Sequence, residues 1–136
     1  EVDQRIQNLS QVGLQVYREV TIVSRSSSLL IPFQEAIFDT HNVFESETSE
    51  IPVPASGIYL VHFRCNISAS VAGSWRVYFS RNGIRLERHQ GAGGDIINES
   101  LVVNLSSQDY IQVEVYNVNS DGFVRVREAY LSLVRL

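Results

Sequence analysis

Apolar residues in this chain recur at every second position over short runs, and clusters of Gly, Pro, Asn, Asp and Ser separate the runs. That is the pattern of half-buried strands joined by turns. The run Ile58 to Asn66 is the clearest, with Tyr59, Val61, Phe63 and Cys65 on one face and Ile58, Leu60, His62 and Arg64 on the other. Val20, Ile22 and Ser24 predict an earlier strand, ended by Ser26-Ser27-Ser28 and followed by the apolar stretch Leu29 to Phe33. Pro52 and Pro54 bracket an irregular approach to Gly57. Trp75 to Ser80 and Ile84 to Arg88 flank Asn82-Gly83, a dipeptide that readily supplies positive φ at both corners of a two-residue turn, so a hairpin is predicted there. Leu101, Val103 and Leu105 alternate, as do Ile111, Val113 and Val115 after the Ser106 to Asp109 turn, and Asn117 to Gly122 makes a further turn.

The closing run, Phe123 to Leu136, differs in kind, because Tyr130, Leu131, Leu133, Val134 and Leu136 make it apolar on both faces. Together the runs predict an all-β, two-sheet jelly-roll sandwich of about eight to ten antiparallel strands. The outer face of a sheet in a two-layer sandwich ordinarily meets water. A last strand apolar on both sides, next to the Ile58 to Asn66 strand, therefore implies a partner surface.

The first residues follow another period. Val2, Ile6, Leu9, Val16 and Val20 are spaced in alternating steps of four and three, with Gly13 in the missing slot and polar residues between them. This predicts that residues 1–17 end an oligomerising coiled-coil stalk and that residues 18–136 form the head. Val12, Leu14 and Val16 also alternate as a strand would, so the same stretch admits an extended reading, with helix giving way near Gly13.

Composition narrows the function classes. The 136 residues suit one domain with a proper core. The 15 acidic and 11 basic residues, the latter all Arg, give a net charge of -4 and none of the general attraction to phosphate backbones that nucleic-acid binders need. No apolar run reaches the ~18 residues of a membrane span, so membrane insertion is not expected. The single Cys65 has no partner for an internal disulfide and sits where a small buried hydrophobe is expected.

One spacing is more specific than any of this. Phe33, Asp39, Phe44, Ile51, Gly57, Tyr59, Val61 and Phe63 follow one another at gaps of six, five, seven, six, two, two and two. This ladder resembles the signature of the globular head of complement component C1q and its tumour-necrosis-factor-like relatives. Six of the eight positions match, and Ile51 and Val61 are apolar replacements for Phe. The resemblance implies a jelly roll in which three heads pack around a threefold axis with both chain ends in the inner sheet. It also implies that the eight ladder residues are structural, with Gly57 in the turn before the central strand and Tyr59 and Phe63 packing that strand's face.

Reactive motifs are scarce. Gly91-Ala92-Gly93-Gly94-Asp95 lacks the Lys-Ser or Lys-Thr of a phosphate loop and reads as a mobile surface loop. His41, His62 and His89 have no zinc-ligand spacing, and no nucleophile elbow or acid-base pair stands out, so an enzyme is not expected. No cofactor is called for. Relatives of this fold can hold calcium near the trimer apex, and Asp95, Asp109 and Asp121 lie in predicted loops, but a hard cation needs about six to eight converging oxygens. Asn8, Asn66, Asn98 and Asn104 each begin an Asn-x-Ser sequon.

These readings converge on a homotrimeric extracellular recognition or adhesion head at the tip of a stalked or fibrous protein, whether secreted, on a cell surface or on a virion fibre. It would bind a cell-surface protein or glycan through three copies of weakly binding loops. The candidate loops are Ser68 to Trp75, His89 to Asn98 and Asn117 to Gly122, with Trp75, Arg88, His89, Asp95, Asn119 and Asp121 as contact residues. Trp75 is either an exposed anchor or a cap on the core, and the alternating Arg85, Glu87 and Arg88 form either a solvated face or a charged contact patch. The alternative is a structural module that trimerises and registers a bacterial or phage fibre without a ligand of its own.

Overall fold

The computed structural model describes residues 11–136. The alternating runs form ten strands: β1 (Gly13–Ser24), β2 (Ser27–Leu30), β3 (Glu35–Asp39), β4 (Ile51–Pro52), β5 (Gly57–Ala69), β6 (Ser74–Arg81), β7 (Ile84–Ala92), β8 (Asp95–Leu105), β9 (Tyr110–Asn117) and β10 (Phe123–Arg135). They pair antiparallel in two sheets. One, here the terminal sheet, has the order β3-β1-β10-β5-β8; the other, the hairpin sheet, runs β2-β9-β6-β7 with β4 added beside β9. Each successive strand tends to fall in the opposite sheet, which is the jelly-roll path, and both chain ends lie side by side in the terminal sheet.

Alternation sets the core. Tyr59, Val61, Phe63 and Cys65 of β5 are buried, as are Val77 and Phe79 of β6, Ile111, Val113 and Val115 of β9, and Leu131 and Leu133 of β10. Phe63 and Phe79 meet edge to face across the two layers, with ring centroids 6.0 Å apart. Burial pushes the Cys65 thiol up to about 12, so it stays protonated and inert at neutral pH. At the β6–β7 turn Asn82 and Gly83 take φ of 53° and 82°, the left-handed pair that a two-residue hairpin requires.

The ladder residues occupy this framework. Phe33 and Ile51 are fully buried, and Phe44 packs against the core while its N–H donates to Asp39 Oδ2 at 2.9 Å. The Tyr59 hydroxyl donates to the Ala55 carbonyl at 2.5 Å, which ties the β5 strand to the segment before it. Gly57 is not in a turn: it is the first residue of β5, and a Cβ there would meet the Arg135 side chain at 2.5 Å.

The coiled-coil reading fails where it can be compared. Gly13 to Ser24 is continuous strand, Val16 is buried in the sandwich core, and Val20 faces outward from the terminal sheet. The alternation of Val12, Leu14 and Val16 describes this segment, because pairing with Leu131 to Val134 of β10 satisfies its backbone and buries Leu14 and Val16. The boundary between stalk and head therefore cannot lie at residue 17. Val2, Ile6 and Leu9 lie outside the described residues.

Candidate functional site

The three predicted loops gather at one end of the sandwich, where the strand order brings the β1–β2, β5–β6, β7–β8 and β9–β10 connections together. Asn119 ties them. Its Oδ1 accepts from the Ser74 N–H at 2.9 Å, its Nδ2 donates to the Ser74 carbonyl at 2.9 Å and to Asn117 Oδ1 at 2.8 Å, and its own carbonyl accepts from the Ser26 N–H at 2.9 Å. The Gly93 N–H donates to the Gly73 carbonyl, and the Gly93 carbonyl accepts from the Ala69 N–H and from the Trp75 indole at 3.1 Å. The Gly91 to Asp95 stretch, expected as a mobile loop, is thus a tight corner between β7 and β8 fixed from both sides.

Trp75 is buried and belongs to the core, so it is not an exposed anchor. Asn119 spends its amide inside the protein. Asp95 and Asp121 are exposed at this end, each accepting from the N–H of the residue that follows it. Arg88 and His89 do not join them. Both lie within β7 on opposite faces: Arg88 points outward from the hairpin sheet, and His89 turns into the slot between β7 and β8. There its ring lies edge-on to Phe79, and its nitrogens stand 3.8 Å from Glu87 and 3.7 Å from Glu99, beyond hydrogen-bond distance.

Asp109 lies at the opposite end of the molecule, accepting from the Ser106 N–H and from Asn82, and these bonds hold its carboxyl below the usual carboxylate range. Asp95 opens β8 and Asp109 follows its end, so the three predicted loop aspartates do not converge. Among the described residues no group of three His, Cys, Asp or Glu side chains is placed to hold a metal ion.

Two surfaces that the loop reading passed over are better built. The first is the outer face of the hairpin sheet. Tyr78 and Glu114 pair across β6 and β9; the Arg85 guanidinium lies 3.8 Å from the Tyr78 ring centroid and donates to Glu114 Oε1 at 2.9 Å. Two depressions open on this face, one of about 400 Å³ lined by Ser74, Arg76, Gln90 and Val118, and one of about 600 Å³ between Leu30, Ser80, Ile84 and Gln112. The tyrosine and arginine content, legible in alternate positions of β6, β7 and β9, could have flagged it.

The second is the outer face of the terminal sheet. Ile22, Phe38, Ile58, Ile96, Val102 and Leu136 all lie on it and are exposed, Val102 by 59% and Ile58 by 53%. At its centre the rings of Tyr17 and Tyr130 sit 4.7 Å apart, and burial followed by the nearby Glu19 carboxylate pushes the Tyr17 phenol up. Asn66, Asn98 and Asn104, the sequon residues within the described chain, are on this same face, since they share the register parity of Arg64, His62 and Ile58.

No family model and no curated protein sequence matches the chain. Solved structures do. Murine APRIL is similar with a TM-score of 0.69 at 20% identity, covering 93% of this chain and 100% of that one. The Eiger TNF of S. frugiperda gives a TM-score of 0.69 at 13% identity over 93% of this chain and 92% of that one. The globular domain of the zebrafish complement 1qA protein gives 0.64 at 12% identity over 89% and 94%. The chain folds as a jelly-roll head of the TNF and C1q type.

Proposed function

We propose that this chain is a homotrimeric recognition head that acts outside the cell, burying the outer face of its terminal sheet between copies and presenting the rest to a cell-surface protein or glycan. The observation that carries the reading is the apolar outer face itself. It spans the β1, β10, β5 and β8 strands, continues through Leu136, and has no cover among the described residues. Its exposed and half-buried apolar side chains are grouped most closely where Ile58, Leu60, Val102 and Val134 adjoin in the register, a cluster of the kind that marks an interface. Self-association explains its location, because three identical faces around an axis cover one another with closed symmetry. Trimeric display then multiplies weak single contacts into avidity.

Light scattering on residues 1–136 and on residues 11–136 tests the assembly. A mass three times that of the single chain in both, the full chain being 15.3 kDa, supports a head that trimerises by itself. A single-chain mass in both overturns it.

A further inference from the structure

The outer face of the hairpin sheet carries a local charge opposite to that of the whole chain. Arg76 of β6 stands across from Gln90 of β7, and the next outward pair along is Tyr78 with Arg88. The two arginines are therefore diagonal neighbours on adjacent strands, roughly 7–8 Å apart at their Cα atoms. Neither has a carboxylate partner among the described residues. The acid nearest in the register, Glu114, is already held by Arg85. Two guanidiniums thus face outward without a counter-charge, each a planar fork suited to a sulfate or carboxylate.

Beside them lies the depression of about 400 Å³, where the polar Ser74, Arg76 and Gln90 are set among Trp75, Ala92 and Val118. Hydrogen-bonding groups and two cations beside a small apolar and aromatic backing suit hydroxylated, charged rings, which present an apolar face and a polar edge. The larger depression at the other end has the buried polar side chains of Ser80 and Gln112 in its floor and Leu30 and Ile84 at its sides. From Ser74 to Ser80 the face extends ~20 Å at ~3.3 Å per residue, room for a short run of linked sugars.

From these features we infer that the outer face of the hairpin sheet binds an acidic polysaccharide, with Arg76 and Arg88 engaging its sulfate or carboxylate groups and Gln90 its hydroxyls. The inference rests on the recognition reading above, in which the terminal sheet is covered by other copies and the hairpin sheet remains open.

The test is a calorimetric titration of the full chain with a sulfated hexasaccharide, in salt raised from about 50 to about 200 mM. Binding should weaken steeply with salt, and Arg76→Gln with Arg88→Gln should lower affinity by about tenfold or more. Arg25→Gln, at an exposed turn, should leave it unchanged, and a neutral hexasaccharide should not bind. The inference is overturned if the unaltered chain ignores the sulfated sugar, if the double variant binds it equally well, or if a poly-glutamate peptide binds more tightly at the same two arginines. Solution mass measured on the same samples separates the two readings. Arginine-dependent binding by a 15.3 kDa species keeps the ligand and removes the trimer, whereas a trimer with no binding does the reverse.

Discussion

The two outer faces of this sandwich are built from the same strand geometry and end in different chemistry. On the hairpin sheet the outward positions are mostly Arg, Tyr, Gln and Glu: Arg85 lies on Tyr78 and pairs with Glu114 and Gln112 reaches Ser49, while Arg76 and Arg88 keep their charges turned to water. On the terminal sheet the outward positions include Ile22, Ile58, Ile96 and Val102, which are left exposed among the described residues. A polar face can meet water at little cost, whereas an apolar one gains about 25 cal/mol for every Å² it hides. Under the proposed function the two faces take separate tasks, association for one and solvent-facing contact for the other.

The largest effect should follow from charging the apolar face. Ile58→Glu with Val102→Glu places side chains that are exposed in a single chain against other copies, where an uncompensated buried charge costs about 3–5 kcal/mol. Light scattering should show the assembly reduced to single chains whose melting is still cooperative; an unchanged mass would remove the distinction between the faces. A glycan at Asn98 or Asn104 should act in the same way. In a secretory expression host the glycan-bearing fraction should be monomeric, and Ser100→Ala with Ser106→Ala should return it to the assembled fraction.

A smaller effect is expected where the two sheets are tied. Asn119→Ala strands the Ser74 N–H and carbonyl and the Asn117 Oδ1 that its side chain serves and should cost about 1–3 kcal/mol in chemical denaturation. Loss of assembly without loss of stability in that variant would mean that the loop end, and not the apolar face, holds the copies together. Arg85→Gln removes an exposed cation–π contact and an ion pair and should cost about 0.5–1 kcal/mol, with the solution mass unchanged.

The smallest effect concerns Asp109, whose folded carboxyl is depressed first by the Ser106 N–H and then by Asn82. A depressed carboxyl contributes its full stabilisation above the unfolded value of about 3.9 and loses it as pH falls through the folded one. Asp109→Asn should therefore flatten the acid limb of melting temperature against pH, and equal slopes for the two proteins would show that these bonds do not matter.

Several parts of the structure were legible before any coordinates. The strand at Ile58 to Asn66, the Asn82-Gly83 hairpin and the doubly apolar last strand depend on local alternation and turn chemistry, and the ladder from Phe33 to Phe63 marked the family fold. The start of β1 was not legible, because Val12, Leu14 and Val16 fit a heptad and a strand equally well. Only pairing with β10, more than a hundred residues away in sequence, decides between them. For the same reason Gly91 to Asp95 looked mobile. Its constraints come from Gly73, Ala69 and Trp75, which no local window contains.

The contact residues divide on similar lines. Local pattern ended a strand at Arg88 and left His89 to a loop; β7 runs on through Ala92, and the position of Phe79 behind the slot turns the His89 ring inward. Asn119 resembled a free loop amide until the convergence of four connections gave it partners. By itself the sequence determined the strand periods, the tight hairpin and the apolar residues on both sides of the last strand's end, all of which are properties of neighbouring residues. Which alternating face became core, which stayed apolar and open, and which arginines were left without a counter-charge were decided only by tertiary pairing, because burial and charge compensation depend on residues brought together from distant parts of the chain.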